Sequence, residues 1–339
     1  MLDLAAVKSA RQTIAGRLHV TPTMSATRIG KRVNVNLFLK CENLQKTGSF
    51  KVRGVLNKLR HLSDEARARG VVTVSAGNHA QALAWAAREA GVKATVVMPE
   101  AASPAKIDAS REYGAEVVLH GQNSIEAFGR ARELERDRQL TFVHPFDDEL
   151  VCAGAGTTGL ELLEQVDDLD VVVIGVGGGG LISGMLVALK ESKPSLRVYG
   201  VEPVGAPSMR MSLDQGHAVH LDSVRTIADG LAAPMAGELN YQIVRKYVDD
   251  VVLIDDATIA AGARELLFSA KLLAEPAGAS ATAAVLARAI PLNDGERVAA
   301  VVSGGNLNVA RLQEMLALAD SPNTDGLNLE RRISGLSRT

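Results

Sequence analysis

A lysine placed in the first turn of a helix, directly after a glycine turn, is suited to attack an aldehyde. The stretch Gln45-Lys46-Thr47-Gly48-Ser49-Phe50-Lys51-Val52-Arg53-Gly54 has this layout. Thr47-Gly48-Ser49 breaks a strand, and Val52, Val55, Leu56 and Leu59 then lay out an apolar helical face with Ser49 as its natural N-cap. The N-terminus of a helix is electropositive, so an ammonium at Lys51 is disfavoured and the nucleophilic amine becomes more accessible. Single lysines are far more often solvated surface groups, so Lys51 needs corroboration from elsewhere in the chain.

Three further segments supply it. Ser75-Ala76-Gly77-Asn78-His79 is a run of small polar residues between a strand and a helix. Its backbone N–H groups, the Ser75 hydroxyl and the helix dipole suit a carboxylate, and the Asn78 amide suits a phenolic oxygen. The plainer alternative is a capped turn with His79 as a structural imidazole. Gly175-Val176-Gly177-Gly178-Gly179-Gly180-Leu181 follows an apolar strand and opens a helix. Backbones without side chains can wrap a phosphate there, and with no lysine or arginine in the loop it is not a Walker A site. Four consecutive glycines carry an entropic cost that a plain turn does not explain. Finally, Ser303-Gly304-Gly305-Asn306 follows an apolar strand. A hydroxyl at Ser303 can bond a pyridine nitrogen but cannot hold it protonated, which weakens an electron sink and favours prompt β-elimination.

Gly175, Gly177 and Gly180 also satisfy G-x-G-x-x-G, with Glu202 ending the next strand about 20 residues on. The resulting alternative, an NAD-dependent oxidoreductase, leaves Lys51, the 75–79 loop and the 303–306 segment without a role.

These motifs must be held by an alternating framework. The pattern predicts strands over 35–40, 71–74, 94–98, 115–119, 171–174, 198–201 and 298–302. It predicts helices over 80–90, 104–113, 124–135, 156–165, 181–191 and 256–274. Alternation of this kind implies an α/β protein with parallel sheets, whose ligands gather at the carboxyl ends of strands, where each motif falls. The uncharged run 171–189 is long enough to resemble a membrane span, but five of its first ten residues are glycine, which favours strand, loop and helix.

Composition agrees. In a chain of 339 residues, 47% hydrophobic, 3% aromatic and with 31 glycines, the core must be built from small aliphatic side chains around tight turns. The 37 basic and 39 acidic residues are interspersed, which argues against a nucleic-acid or membrane partner and for a small molecule. Cys41 and Cys152 lack metal-ligand spacing and read as reduced and structural. His217 and His220 lack a third ligand. The N-terminus shows no basic head with an apolar block, so a cytoplasmic location is expected.

Taken in order, SFKVRGV at 49–55, SAGNHAQA at 75–82, GGGGLISG at 177–184, VEP at 201–203, EPAGA at 275–279 and SGGN at 303–306 resemble the serine/threonine dehydratase family. The resemblance implies the tryptophan-synthase-β-like fold, called fold type II among pyridoxal-phosphate enzymes: two lobes, each a mostly parallel sheet flanked by helices. It implies a large cofactor-binding lobe (1–47 plus 147–325), a small mobile lobe (48–146) and a peripheral tail (326–339). The implied cofactor is pyridoxal 5′-phosphate, carried by Lys51 as a Schiff base. Phe50 lies beside its ring, Asn78 at the phenolic oxygen, Gly177, Gly178, Gly179, Gly180 and Leu181 around the phosphate, and Ser303 at the pyridine nitrogen. Ser75, Ala76, Gly77 and His79 are left to hold a substrate carboxylate.

The implied reaction is β-elimination of a small hydroxy amino acid, taking L-threonine (and L-serine) to 2-oxobutanoate (pyruvate) and ammonia. Serine racemase and 3-hydroxyaspartate dehydratase are the alternatives on the same fold. Ala76 stands where the racemase carries the serine that serves as its second acid/base group, so dehydration is favoured. Glu202 and Ala206 match part of a racemase-like metal site, but Ser208 replaces its third, acidic position, and no metal is expected. The family further implies a homodimer or homotetramer. Lys46 and Thr47 match a nucleotide-effector site of some relatives, and no regulatory domain of the kind carried by the family's biosynthetic members is expected.

Overall fold

The computed structural model describes residues 2–319, so the tail expected over 326–339 lies outside the described residues. Ten strands form two sheets. They are β1 (Thr23–Ser25), β2 (Asn36–Cys41), β3 (Val71–Val74), β4 (Ala94–Met98), β5 (Glu116–Leu119), β6 (Thr141–Phe142), β7 (Val171–Gly175), β8 (Arg197–Pro203), β9 (Asp250–Ile254) and β10 (Arg297–Val302). The larger sheet has the order β1-β2-β10-β7-β8-β9 and the smaller β5-β4-β3-β6. Only the edge pair β1–β2 is antiparallel. Helices cover both faces of the large sheet, which is why every residue of β7 is buried and its sequence shows no polar alternation.

Beyond elements that the pattern did not predict, among them β1, β6 and β9, the framework differs from the sequence expectation at four places. The helix after the 75–79 loop begins at Asn78, not 80, with Gly77 as N-cap. The helix expected over 156–165 spans Glu149–Gln165, capped by the Asp148 carboxylate, which accepts the N–H groups of Leu150 and Val151 at 2.9 and 3.1 Å. It is buried on all sides from Val151 to Leu162, so its first turns carry no amphipathic period. The long helix expected over 256–274 ends early, at 270. Asp256–Glu265 passes into a π-helical turn at Leu266–Ala270, Lys271 takes φ +63°, and a new helix, Pro276–Leu286, starts with proline in its first turn.

The fourth correction concerns Ser49. The helix Lys51–Arg60 has Phe50 at its N-cap with no side-chain cap bond, and the buried Ser49 hydroxyl has no hydrogen-bond partner. Ser49 instead pairs through its backbone with Gly304 in an isolated antiparallel bridge.

The run 171–189 resolves into β7 and the helix Gly180–Ser192, and no helix among the described residues is long and apolar enough to cross a membrane. Cys41 and Cys152 are buried and unpaired. Beneath the Lys51–Arg60 helix lies a buried ionic cluster. Arg53 holds Glu42 at 2.7 and 2.8 Å and Glu161 at 2.7 and 2.8 Å, while Lys40 holds Glu161 at 2.8 Å and the Thr21 carbonyl at 2.7 Å.

Candidate active site

The segments that follow β2, β10 and β7 meet those that follow β3 and β6: Lys51 bonds Pro145, Asn306 bonds Asn78, and Phe146 lies against Gly178. Two of the motif segments are joined directly by main chain. Phe50 N–H donates to Ser303 O at 3.1 Å and Gly305 N–H to Gly48 O at 2.9 Å, so Lys51 and Ser303 are held in fixed relation. The Lys51 amine donates to Pro145 O at 2.8 Å and lies 5.2 Å from the centroid of the Phe50 ring. Burial pulls its pKa down to about 8, against the opposing pull of Cys152 and Glu275. That value leaves a substantial fraction of free amine at neutral to mildly alkaline pH.

The glycine loop is built for close approach. Gly179 has φ +99°, and a Cβ on Gly178 would sit 2.5 Å from the Phe146 ring. Asn240 Nδ2 fixes the loop by donating to Gly178 O at 2.9 Å. The helix Gly180–Ser192 begins here, and the first N–H groups of a helix have no intrahelical acceptor and face its positive pole. Such a cradle suits a phosphate without a cationic side chain. Gly178→Ala is expected to displace Phe146 and weaken pyridoxal-phosphate binding about tenfold or more, as overpacking of a tight contact does. An absorbance titration of the cofactor-free protein measures it.

In the 75–79 loop the Ser75 hydroxyl accepts Gly77 N–H at 3.1 Å. The His79 ring turns inward, with Nε2 3.0 Å from Thr73 Oγ1 and 3.2 Å from Val143 O, and burial takes its pKa down to about 3. Nδ1 is buried without a hydrogen-bond partner, so the ring is held inward through Nε2 alone. Asn78 reaches across to Glu275, donating from Nδ2 at 2.6 Å.

The sequence reading missed residues 144–148. Pro145 supplies the carbonyl for Lys51, and Phe146 covers the glycine loop. His144 Nδ1 accepts the N–H groups of Phe146 and Asp147 at 3.3 and 2.7 Å, and burial takes its pKa down to about 4. Asp147 accepts the N–H groups of Glu238 and Leu239 at 3.2 and 3.1 Å. The one available signal was an aspartate, Asp148, in N-cap position before a helix.

Glu202 is fully buried and accepts the N–H groups of Met209 and Arg210, both at 2.8 Å, in the first turn of the helix Ser208–Gln215. Burial pushes its pKa up to about 8. Among the described residues no group of three His, Cys, Asp or Glu side chains is placed to hold a metal.

A two-sheet α/β fold whose strand ends gather a desolvated lysine amine, an anion cradle of glycine backbones and a serine at the end of the central strand defines a class of cofactor-dependent enzyme. A family model described as pyridoxal-phosphate dependent enzyme matches residues 14–304, and the chain belongs to that family. The L-threonine ammonia-lyase of Thermotoga maritima is 44% identical over 316 residues, covering 93% of this chain and 78% of that protein. The catabolic L-threonine dehydratase of Staphylococcus aureus strain N315 is 39% identical over 319 residues, covering 93% and 92%. Among solved structures, maize serine racemase superposes with a TM-score of 0.89 at 36% identity over 93% of this chain and 97% of that one. The fold is therefore fold type II. The cofactor of the family is pyridoxal phosphate, and the residues present fit it: an amine for the aldehyde, a Cβ-free cradle for the phosphate, an amide and a hydroxyl for the ring.

Proposed function

We propose that this enzyme is a carbon–nitrogen lyase that converts L-threonine, and more slowly L-serine, to the 2-oxo acid and ammonia. The observation that carries the reading is the deeply desolvated Lys51 amine, which donates to Pro145 O, on a backbone tied to the 303–306 turn by the Phe50 N–H bond to Ser303 O. The naming of the relatives at 39–44% identity supports the substrate.

In this reading Lys51 holds the cofactor through its aldehyde carbon, the 177–181 loop grips the phosphate, Ser303 faces the pyridine nitrogen, Asn78 the phenolic oxygen, and Phe50 packs beside the ring. When bound, the cofactor supplies an electron sink that acidifies the substrate Cα–H. With the cofactor and substrate bound, Lys51 Nζ would be the base that takes the Cα proton. The N–H groups and hydroxyl of residues 75–79 receive the substrate carboxylate. Ala76 has no proton to give on the opposite face, which favours elimination over racemisation.

The smaller sheet lies wholly within 71–142, which supports reading 48–146 as a lobe distinct from 1–47 plus 147–325. Two buried unpaired cysteines support a cytoplasmic setting, and the family resemblance a homodimer or homotetramer. The test is 2-oxo acid release by the cofactor-loaded protein offered L-threonine, L-serine, D-serine and 3-hydroxyaspartate. Stoichiometric 2-oxobutanoate and ammonia from L-threonine is the expected result. Preference for 3-hydroxyaspartate, or conversion of L- to D-serine without oxo acid, overturns it.

A further inference from the structure

The EPAGA segment brings a buried carboxylate to the cleft. Glu275 stands at the N-cap of the helix Pro276–Leu286, yet its side chain makes no cap bond there. It is 9% exposed, and Oε1 accepts from Asn78 Nδ2 at 2.6 Å. A Cβ added at Gly304 would collide with that same oxygen and lie 3.1 Å from Asn78 Nδ2, so the 303–306 turn needs its glycine to pass this pair.

The other end of the Asn78 amide is also held. Asn306 Nδ2 donates to Asn78 Oδ1 at 2.9 Å and to Thr47 O at 2.7 Å. The Thr47 carbonyl can only accept, so the Asn306 atom facing it is the nitrogen. The Asn78 atom facing Asn306 is then the oxygen, and the Asn78 nitrogen is left facing Glu275. The polarity of the chain of bonds from Thr47 to Glu275 is thus set by one main-chain carbonyl at one end and closed by a carboxylate at the other. With Oδ1 turned toward Asn306 and one Nδ2 hydrogen given to Glu275, the donor that Asn78 has left to offer is its second N–H.

We propose that Glu275 and Asn306 are positioning residues that fix the orientation of the Asn78 amide, so that it presents a donor and never an acceptor to the phenolic oxygen of the cofactor. This rests on the reading of Asn78 given above. Glu275 itself does not touch the reacting atoms; it acts through Asn78.

The experiment titrates cofactor-free full-length protein with pyridoxal phosphate and reads the dissociation constant and the visible absorbance maximum of the bound cofactor. The variants are Asn78→Ala, Glu275→Ala, Glu275→Gln, Asn306→Asp and the double variant Asn78→Ala/Glu275→Ala. Losing a hydrogen bond to a charged group is expected to weaken binding about tenfold in Asn78→Ala and in Glu275→Ala, and to move the absorbance maximum in both. Asn306→Asp, which cannot donate to Thr47 O, behaves like Glu275→Ala. Glu275→Gln keeps an acceptor oxygen and stays within about threefold of the parent, which separates lost polarity from a lost fold. The double variant is no weaker than Asn78→Ala alone, because Glu275 has nothing left to act through. Losses that multiply to about a hundredfold in the double variant overturn the proposal, since Glu275 then acts independently. An Asn78→Ala protein with unchanged affinity and spectrum removes the assignment of Asn78 itself, whatever Glu275 does, and the proposal falls with it.

Discussion

Lys51→Ala is expected to lower 2-oxo acid release from L-threonine by about a thousandfold or more, because one nitrogen both anchors the cofactor and removes the Cα proton. The loss should be traceable to that atom. Borohydride treatment of the loaded parent should leave the cofactor fixed to the peptide containing Lys51, and the variant should release it on denaturation; retention at another lysine would sink the assignment. The pH dependence of covalent capture by the cofactor-free protein adds an independent reading. Burial lowers the Lys51 pKa to about 8, so the amine fraction, and with it the rate of reaction with the aldehyde, should rise as pH climbs through that value and level off above it. A solvated lysine would continue to gain rate into the far more alkaline range of ordinary lysines. Lys51→Arg retains the charge but not the titratable amine, and should be as inactive as the alanine variant.

The parts of this site that could be read from sequence are those whose chemistry depends on a particular side chain, or on its absence. Asn78, Ser303 and the glycines of 177–180 each follow a short apolar strand (β3, β10 and β7), and Lys51 follows β2 across a glycine turn; such runs bounded by turn residues are legible as strand ends. The residues that escaped notice work against main chain. Any residue has the carbonyl that Pro145 offers to Lys51, and the His144 and Asp147 side chains accept N–H groups that any residue but proline has. One half of each such bond carries no side-chain signature. The start of the Glu149–Gln165 helix was hidden for a related reason: a helix enclosed by other helices has no polar face, and its Ala- and Gly-rich turns show no period. Ser49 failed as a cap because tertiary pairing with Gly304 took its backbone, which local preference for capping residues does not register.

Arg53→Ala is expected to destabilise the cofactor-free protein by about 3–5 kcal/mol at neutral pH, the usual consequence of breaking a buried ionic set. Arg53 is 1% exposed, two residues from Lys51, and makes both of its carboxylate contacts inside the protein. Its removal leaves Glu42, itself 0% exposed, with the Thr21 hydroxyl as a neutral donor. The pH dependence follows from Glu161. Burial alone would raise its pKa, but the hydrogen bonds and charge of Arg53, joined by Lys40, outweigh burial and leave it lowered. In the parent, Glu161 therefore contributes stability that is present above the ordinary carboxylate pKa and lost as pH falls through its lowered value. Without Arg53, burial of Glu161 is opposed by Lys40 alone and its protonated form is favoured, so the variant is relieved as pH falls. The gap in unfolding midpoint between parent and variant should accordingly narrow from pH 7 toward pH 4, read by urea denaturation; a constant gap would mean that lost packing, not stranded charge, is the cause. Replacing the whole set, with Lys40→Met, Glu42→Leu, Arg53→Met and Glu161→Leu together, removes the stranded charges and should recover much of the stability. If such a protein folds but holds the cofactor weakly, the cluster serves to place the first turn of the Lys51 helix; if it binds as the parent does, the cluster's role is confined to the fold.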